Sequence, residues 1–191
     1  MFDDFLYNFY RSVKLDKSIY KDPKSFENLS FFFAGLIIII NGLAGLVAQS
    51  AFIEILRTVY GISNISGTSL LVVVFSSIFG WIIWAILLYV IGAKLFAETN
   101  TAANFKNMLI VVGYGHAPGI FRFFAVVPGL VIPIILITEI WIIASMTIGI
   151  KEILYFKSTF KSLGVVLSSL LIMFLTFVYL TKGNSILTPI S

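Results

Sequence analysis

Residues 30–53 read SFFFAGLIIIINGLAGLVAQSAFI, a run of 24 positions without a charged side chain. A helix needs about 20 apolar residues to cross the hydrocarbon core of a bilayer, so this run predicts a transmembrane helix. Comparable stretches follow at residues 68–92, 107–127, 129–148 and 162–180. The sequence therefore predicts an all-α integral membrane protein with five transmembrane helices.

The composition agrees with a membrane protein. Of 191 residues, 59% are hydrophobic and only 12% are charged, and the mean hydropathy is +1.03. Soluble domains are nearer half apolar and a quarter charged, so a soluble enzyme, a disordered chain and a nucleic-acid-binding module are excluded. The absence of cysteine and the single histidine exclude thiolate metal sites and an all-histidine metal cage, and we expect no cofactor.

The distribution of basic residues predicts the orientation in the membrane. With a cytoplasmic amino terminus, ten Lys and Arg residues lie in inner segments: Arg11, Lys14, Lys17, Lys21, Lys24, Lys94, Lys106, Lys151, Lys157 and Lys161. The outer segments then hold only three, Arg57, Arg122 and Lys182. The positive-inside rule therefore favours an inner amino terminus and an external carboxyl terminus.

Three segments follow from this orientation. They are a cytoplasmic amino-terminal segment at residues 1–29, a transmembrane domain at 30–181 and a short external tail at 182–191. An alternative has four spans, with the third and fourth stretches forming a re-entrant pair. It arises because the turn between these stretches is crowded by helix-breaking residues, Pro118, Pro128, Gly129 and Pro133.

The amino-terminal segment is amphipathic. On a helical wheel one arc holds the apolar and aromatic residues Phe2, Phe5, Leu6, Phe9, Tyr10 and Val13. The opposite side holds Asp4, Tyr7, Asn8, Arg11 and Lys14. Such a helix suits the headgroup plane of a bilayer, and we expect an interfacial helix that contacts lipid. The alternative is a helix packed against the protein's own cytoplasmic loops.

Three polar residues fall near the middle of their predicted spans: Asn41, His116 and Glu139. Each lies about ten residues, or about 15 Å, from the ends of its helix. Polar groups at such depth rarely face lipid, so we predict one polar cluster at the bundle midplane, with His116 as the partner of Glu139. The cluster is either a proton-linked or ligand site, or an interhelical hydrogen bond that fixes packing, and the second is favoured.

The third span carries further signals. Pro118 removes a backbone hydrogen bond and predicts a kink, which leaves the carbonyl near Tyr114 in need of a partner. Arg122 falls near the predicted outer end of the span, where its side chain can reach the interface. Small residues in this span predict close helix contacts: Gly113, Gly115, Ala117 and Gly119.

Several of these motifs resemble the Yip family, the Ypt/Rab-interacting membrane proteins. They are DPKSFENL at residues 22–29, GYGHAPGIF at 113–121, IWII at 140–143 and GIKE at 149–152, followed by Ser158 and Lys161. The resemblance implies a five-helix membrane domain and, in eukaryotic relatives, roles in vesicle transport, membrane shaping and binding of Rab-type GTPases. Those relatives usually have a longer amino-terminal region. The short segment here is similar to prokaryotic members, which weighs against a GTPase partner.

The leading functional hypothesis is a non-enzymatic membrane scaffold or interaction protein. It would contact the lipid bilayer and a membrane-protein partner or a second copy of itself, in the plasma membrane if the source is prokaryotic. One alternative is a small transporter or ion-conducting protein that uses Glu139 and His116. Another is an accessory subunit of a larger membrane enzyme.

Overall fold

The computed structural model describes residues 2–21, 26–27, 29–62, 66–99, 101, 104–127 and 129–186, with side chains as far as residue 180. Its helices are α1 (Phe2–Val13), α2 (Ser18–Lys21), α3 (Phe31–Tyr60), α4 (Leu70–Leu88), α5 (Phe105–Gly115), α6 (Val131–Ile153) and α7 (Thr159–Ile186). A π-helical segment, Tyr89–Leu95, extends α4, and a 3-10 helix, Ala117–Val126, follows α5. Residues 22–25, 28 and 128 and the end of the predicted tail lie outside the described residues.

The five predicted spans are confirmed. The helical stretches long and apolar enough to cross a bilayer are Phe31–Tyr60, Leu70–Leu95, Phe105–Val126, Val131–Ile153 and Thr159–Leu180. The four-span alternative is wrong, because the third and fourth stretches are each long enough to span by themselves. The helix of the first span, α3, is longer than predicted. It ends at Tyr60, and Gly61, with a positive φ of 67°, forms a left-handed cap after its last turn.

The third span is the centre of the bundle. In its most apolar 18-residue window 61% of the residues are buried, against 17% for the fifth span and 22% for the second. It packs against α3, α4 and α6. A Cβ atom on Gly113 would lie 2.5 Å from Ala34 Cβ and 2.8 Å from the Ala34 carbonyl oxygen, so glycine permits the approach of α3. This contact confirms the prediction that small residues in this span mark close helix contacts.

Tryptophan side chains tie the elements together by hydrogen bonds. The Trp81 indole N–H of α4 donates to the Leu109 carbonyl of α5 across 2.9 Å. The Trp84 indole N–H donates to the Ser169 hydroxyl of α7 at 2.8 Å, and that of Trp141 donates to the Val13 carbonyl at 2.9 Å. Each bond joins two elements of the fold, so these side chains fix helix positions as well as fill space.

Connections predicted to share the inner side meet at one end of the bundle. Lys161, at the start of α7, forms an ion pair of 3.0 Å with Glu98, which follows the π-helical segment. The Lys161 ammonium also donates a hydrogen bond to Glu98 in this pair, and that bond lowers the pKa of the Glu98 carboxyl. Thr101 donates to the Leu154 carbonyl at 3.2 Å. These contacts bind the connection before α5 to the connection after α6.

The third span changes helix type at its centre, and α1 packs against the span at this point. The α-helix ends at Gly115, and the 3-10 helix begins at Ala117. Pro118 has no N–H to donate to the Tyr114 carbonyl four residues earlier. The Ser12 hydroxyl of α1 donates to that carbonyl instead, across 2.6 Å. The ring of Phe5 stacks on Phe33 at 4.4 Å between centroids, which holds α1 against α3 as well.

Substitution of Ser12 by Ala should destabilise the protein, because it removes a buried donor to the Tyr114 carbonyl. We expect a loss of about 1–2 kcal/mol in the free energy of unfolding, measured by denaturant titration in detergent micelles. Ser76→Ala is the matched control, since the Ser76 hydroxyl bonds only to the Val73 carbonyl of its own helix. An equal loss in the two variants would show that the Ser12 bond has no special role.

Candidate functional site

Arg122 of the 3-10 helix contacts three polar side chains. Together with it they form what we call the Arg122 cluster: Asn41, Arg122, Thr138 and Glu139. The Arg122 Nη2 atom lies 2.5 Å from Glu139 Oε1, which makes an ion pair. Its Nε donates to Thr138 Oγ1 at 3.2 Å, and Nη1 donates to Asn41 Oδ1 at 3.4 Å. The arginine side chain is 12% exposed and that of Glu139 is 53% exposed. The cluster therefore joins α3, the 3-10 helix and α6.

The hairpin between the third and fourth spans explains why Arg122 and Glu139 meet. Arg122 lies four residues before the end of the 3-10 helix at Val126, or about 8 Å at 2.0 Å per residue. Glu139 lies eight residues after the start of α6 at Val131, or about 12 Å at 1.5 Å per residue. The two segments run in opposite directions, so both residues reach a similar depth, and the long arginine side chain covers the difference.

Asn41 is held in the cluster by backbone shape. Gly119 of the 3-10 helix lies directly against the Asn41 carboxamide, whose oxygen occupies the space that a Cβ atom on residue 119 would need. The carboxamide oxygen is thereby turned toward the Arg122 guanidinium. Thr138 is fixed in a similar way, because its hydroxyl also bonds to the Ile134 carbonyl of its own helix at 2.8 Å. The guanidinium therefore lies between acceptors that other contacts hold in place.

The structure places His116 apart from the ion pair. Its Nδ1 lies 2.7 Å from the Val112 carbonyl, which can only accept, so Nδ1 carries the proton. Its ring stands edge-on to Trp84, with 5.1 Å between centroids. Asn41 and His116 both line a cavity of about 230 Å³ that α4 and α7 help to enclose. Of the three residues predicted to cluster, Asn41 contacts Arg122, and Glu139 pairs with Arg122 rather than with His116. His116 bonds instead to the Val112 carbonyl and shares a cavity with Asn41.

A cleft runs beside the Arg122 cluster between α3 and α6. It has a volume of about 400 Å³ and is lined by Gly45, Ala48, Gln49, Phe52, Arg122, Ile132, Ile135, Leu136 and Glu139. The lining is mostly apolar, and Arg122 and Glu139 are its charged members. Ile132 and Leu136 on its rim are more than half exposed. The cleft therefore opens on the side of the bundle, at the depth of the membrane.

The amino-terminal helix is present, but its faces differ from the predicted ones. Of the six residues on the predicted apolar arc, Phe2, Leu6 and Tyr10 are exposed, Phe5 is buried, and Phe9 and Val13 are half-buried. The buried face also contains Ser12 and Asn8, and the helical wheel assigns Asn8 to the polar side. The helix packs against α5 and the 3-10 helix rather than against loops alone.

The turn after α1 is held by a small polar group. The Ser18 hydroxyl and backbone N–H donate to Asp16 Oδ1 at 2.7 and 2.9 Å, and Arg11 Nε donates to Asp16 Oδ2 at 2.8 Å. The bonds from Ser18 and then from Arg11 lower the pKa of the Asp16 carboxyl to about 2. Leu15, between the two elements, takes a positive φ of 60°. This turn directs α2 back to the bundle, where Ile19 and Tyr20 are buried.

The sequence analysis did not predict two contacts, the pairing of Arg122 with Glu139 and the bond from Ser12 to the Tyr114 carbonyl. A usable signal existed for Arg122, because Arg122 and Glu139 are the strongly charged residues inside the third and fourth predicted spans and lie at similar distances from the turn between them. No comparable signal marks Ser12. Within the described residues, no group of three or more His, Cys, Asp or Glu side chains is arranged to bind a metal ion.

Breaking the ion pair should have unequal effects from its two sides. Arg122→Gln leaves Asn41, Thr138 and Glu139 without their common donor, and we expect a loss of about 2–3 kcal/mol in unfolding free energy. Glu139→Gln should lose less, about 1 kcal/mol, because glutamine still accepts a hydrogen bond and the side chain is half exposed. Denaturant titrations of both variants and of the double variant measure the coupling. Equal single effects with no coupling would contradict the geometry.

Comparisons with known proteins identify the family of this chain. Neither the curated proteins nor the solved structures give a significant match. A family model described as the Yip1 domain matches residues 14–180, a stretch that includes the five spans, the broken third helix and the Arg122 cluster. The protein is therefore an integral, multi-pass membrane protein that belongs to the Yip family.

Proposed function

We propose that this protein is a non-enzymatic membrane scaffold that organises partners within the bilayer. The observation that carries the proposal is the use made of polar groups inside the spans. The Trp81, Trp84 and Trp141 indoles and the Arg122 guanidinium all bond across elements. Such bonds fix helix packing, which is what a rigid platform requires and is consistent with the structural interpretation of the midplane residues.

The surfaces available to partners lie on the outer helices. The fourth helix exposes Phe75, Phe79 and Ile83 on one face. The seventh exposes Leu171, Phe174 and Leu175. These faces contact lipid or another transmembrane helix, since apolar side chains at membrane depth have no other environment. We propose that one of them binds a membrane-protein partner or a second copy of the chain.

The transport hypothesis is weaker for a specific reason. A proton or ion path requires a polar, water-accessible route to Glu139. The cleft that reaches Glu139 is lined mainly by apolar side chains, and its carboxylate is already paired with Arg122. These features favour a structural ion pair, which a free-standing scaffold and an accessory subunit of a larger membrane complex would share.

We also propose that α1 contacts the headgroup layer with its exposed edge while its buried face packs on the bundle. Phe2, Leu6 and Tyr10 are about half exposed or more. The Lys14 ammonium lies 4.4 Å from the centre of the Tyr10 ring. An apolar edge beside basic groups suits the boundary between acyl chains and anionic headgroups. This arrangement combines the two alternatives that the sequence leaves open.

The orientation proposed from the basic residues places residues 1–29 in the cytoplasm and residues 182–191 outside. Because the chain has no cysteine, single cysteines can be introduced into a clean background. We expect Ser66→Cys to react with an impermeant maleimide in intact cells and Lys17→Cys and Lys157→Cys to react only after permeabilisation. Labelling of Lys17→Cys but not of Ser66→Cys in intact cells would reverse the topology.

The scaffold proposal is tested by site-specific photo-crosslinking. A benzophenone amino acid replaces Phe79 on α4 or Phe174 on α7, and buried Val166 is the control. We expect a defined protein adduct from one exposed face, with a stoichiometry near one partner per chain, and no intermolecular adduct from Val166. Adducts with lipid alone from both faces would contradict a partner at either surface. A measurable proton flux in proteoliposomes that Glu139→Gln abolishes would instead support transport.

A further inference from the structure

We propose that the cleft beside Arg122 binds a long-chain carboxylic acid with a single acyl chain, whose carboxylate bonds to the Arg122 guanidinium. The proposal does not depend on the scaffold function. It rests on the shape and lining of the cleft, on the unused donors of Arg122 and on the charge balance between Arg122 and Glu139.

The cleft has the character of a ligand site. Pockets for small ligands measure about 300–1,000 Å³ and combine an apolar lining with a few polar groups. This cleft measures about 400 Å³ and offers Ala48, Phe52, Ile135 and Leu136 along its walls. A Cβ atom on Gly45 would meet only Arg122 Nη1, at 4.0 Å, so the space in front of the guanidinium is open. An acyl chain suits the walls because both are apolar.

Arg122 has donors to spare. A guanidinium carries five N–H donors in one plane, and three of them serve Thr138, Asn41 and Glu139. The bond to Asn41 is long at 3.4 Å, so the Nη1 group is weakly engaged. Arginine binds carboxylates through two parallel hydrogen bonds, and its Nη1 and Nη2 atoms can present such a pair to a ligand that enters from the cleft.

Glu139 balances the charge when the ligand enters. The ligand arrives as the neutral acid, its proton passes to the Glu139 carboxylate, and its own carboxylate takes the place of Glu139 on Arg122. The net charge of the site is unchanged. Arg122 and Glu139 are the charged side chains among the described residues that line the cleft, and α3 contributes the uncharged Gln49. Glu139 is half exposed and so has room to leave the guanidinium.

Charge argues for a carboxylic acid rather than a phospholipid. Arg122 and Glu139 already balance each other as an ion pair. A phosphodiester carries no proton that could pass to Glu139, so its anion would add an uncompensated negative charge to an apolar cleft. A free acid brings that proton, so its carboxylate can replace Glu139 on Arg122 without a change in net charge.

The test uses the full-length protein in nanodiscs and a hexadecanoic acid that carries a diazirine on its chain. We expect saturable photolabelling that maps to peptides of α3 and α6. Unlabelled hexadecanoic acid should compete at least about tenfold better than hexadecan-1-ol, because the alcohol cannot form charge-assisted bonds to Arg122. Phosphatidylglycerol should compete no better than the alcohol.

Three variants separate the roles of the groups. Arg122→Gln should weaken binding at least about tenfold through loss of the cation. Glu139→Gln should retain it, since glutamine mimics the protonated glutamic acid. Gly45→Leu should block the cleft while it leaves the ion pair in place. Gly164→Leu on α7, where a Cβ atom meets nothing within 4 Å, is the matched control and should label like the unmodified protein.

Several outcomes overturn the proposal. Equal competition by the acid and the alcohol would show that the site selects chains without an acid group, and stronger competition by phosphatidylglycerol would identify a phospholipid site. Unchanged labelling of Gly45→Leu would place the ligand elsewhere. If Arg122→Gln fails to fold, as judged by size-exclusion chromatography, Gly45→Leu and the comparison of acid with alcohol still decide the question.

Discussion

Backbone groups in hydrocarbon must find partners within the protein, and the third span is where this constraint is hardest to meet. It changes from an α-helix to a 3-10 helix in the middle of the bundle, around Pro118. Water cannot satisfy the groups freed there, so protein groups must. The span is accordingly the most buried of the five. The Ser12 hydroxyl of α1 donates a hydrogen bond to the Tyr114 carbonyl at the break.

The same change of helix type sets the depth of the charged site. A 3-10 helix rises further per residue than an α-helix, so Arg122 lies farther from the break than it would in a regular helix. It lies opposite Glu139 of α6, and the two residues are at similar distances from the turn between the helices. The helix break therefore affects the position of Arg122, which pairs with Glu139 and lines the cleft.

Hydropathy predicts the five spans because membrane thickness imposes a fixed length of apolar sequence. It does not predict partners within the bundle. The sequence predicts that Glu139 needs a partner and favours His116, because each residue falls near the middle of its predicted span. The sequence places Arg122 near the outer end of its span, and in the structure it lies about 8 Å from the end of the 3-10 helix at Val126. The sequence missed the pairing because α6 begins at Val131 and continues to Ile153, which puts Glu139 in the half of its helix that is nearer to that same end.

The amino-terminal helix shows a different limit. The arc from Phe2 to Val13 is apolar, but hydrophobicity alone does not say whether an apolar side chain contacts lipid or protein, since both are apolar environments. Phe5 stacks on Phe33 whereas Phe2 and Leu6 remain exposed. Ser12 is buried because it donates to the Tyr114 carbonyl, an acceptor that the helix break leaves free elsewhere in the chain. Such a dependence cannot be extracted from the helical wheel of α1.

An ion pair within a bundle is a weak source of stability, because desolvation offsets much of the attraction between the charges. Its stronger effect is on geometry: Arg122 fixes the register of the hairpin against α3 through Glu139, Thr138 and Asn41 at once. Here the cleft leaves half of the Glu139 side chain exposed, so the same residues that fix the helix register also present a polar group to whatever enters from the membrane.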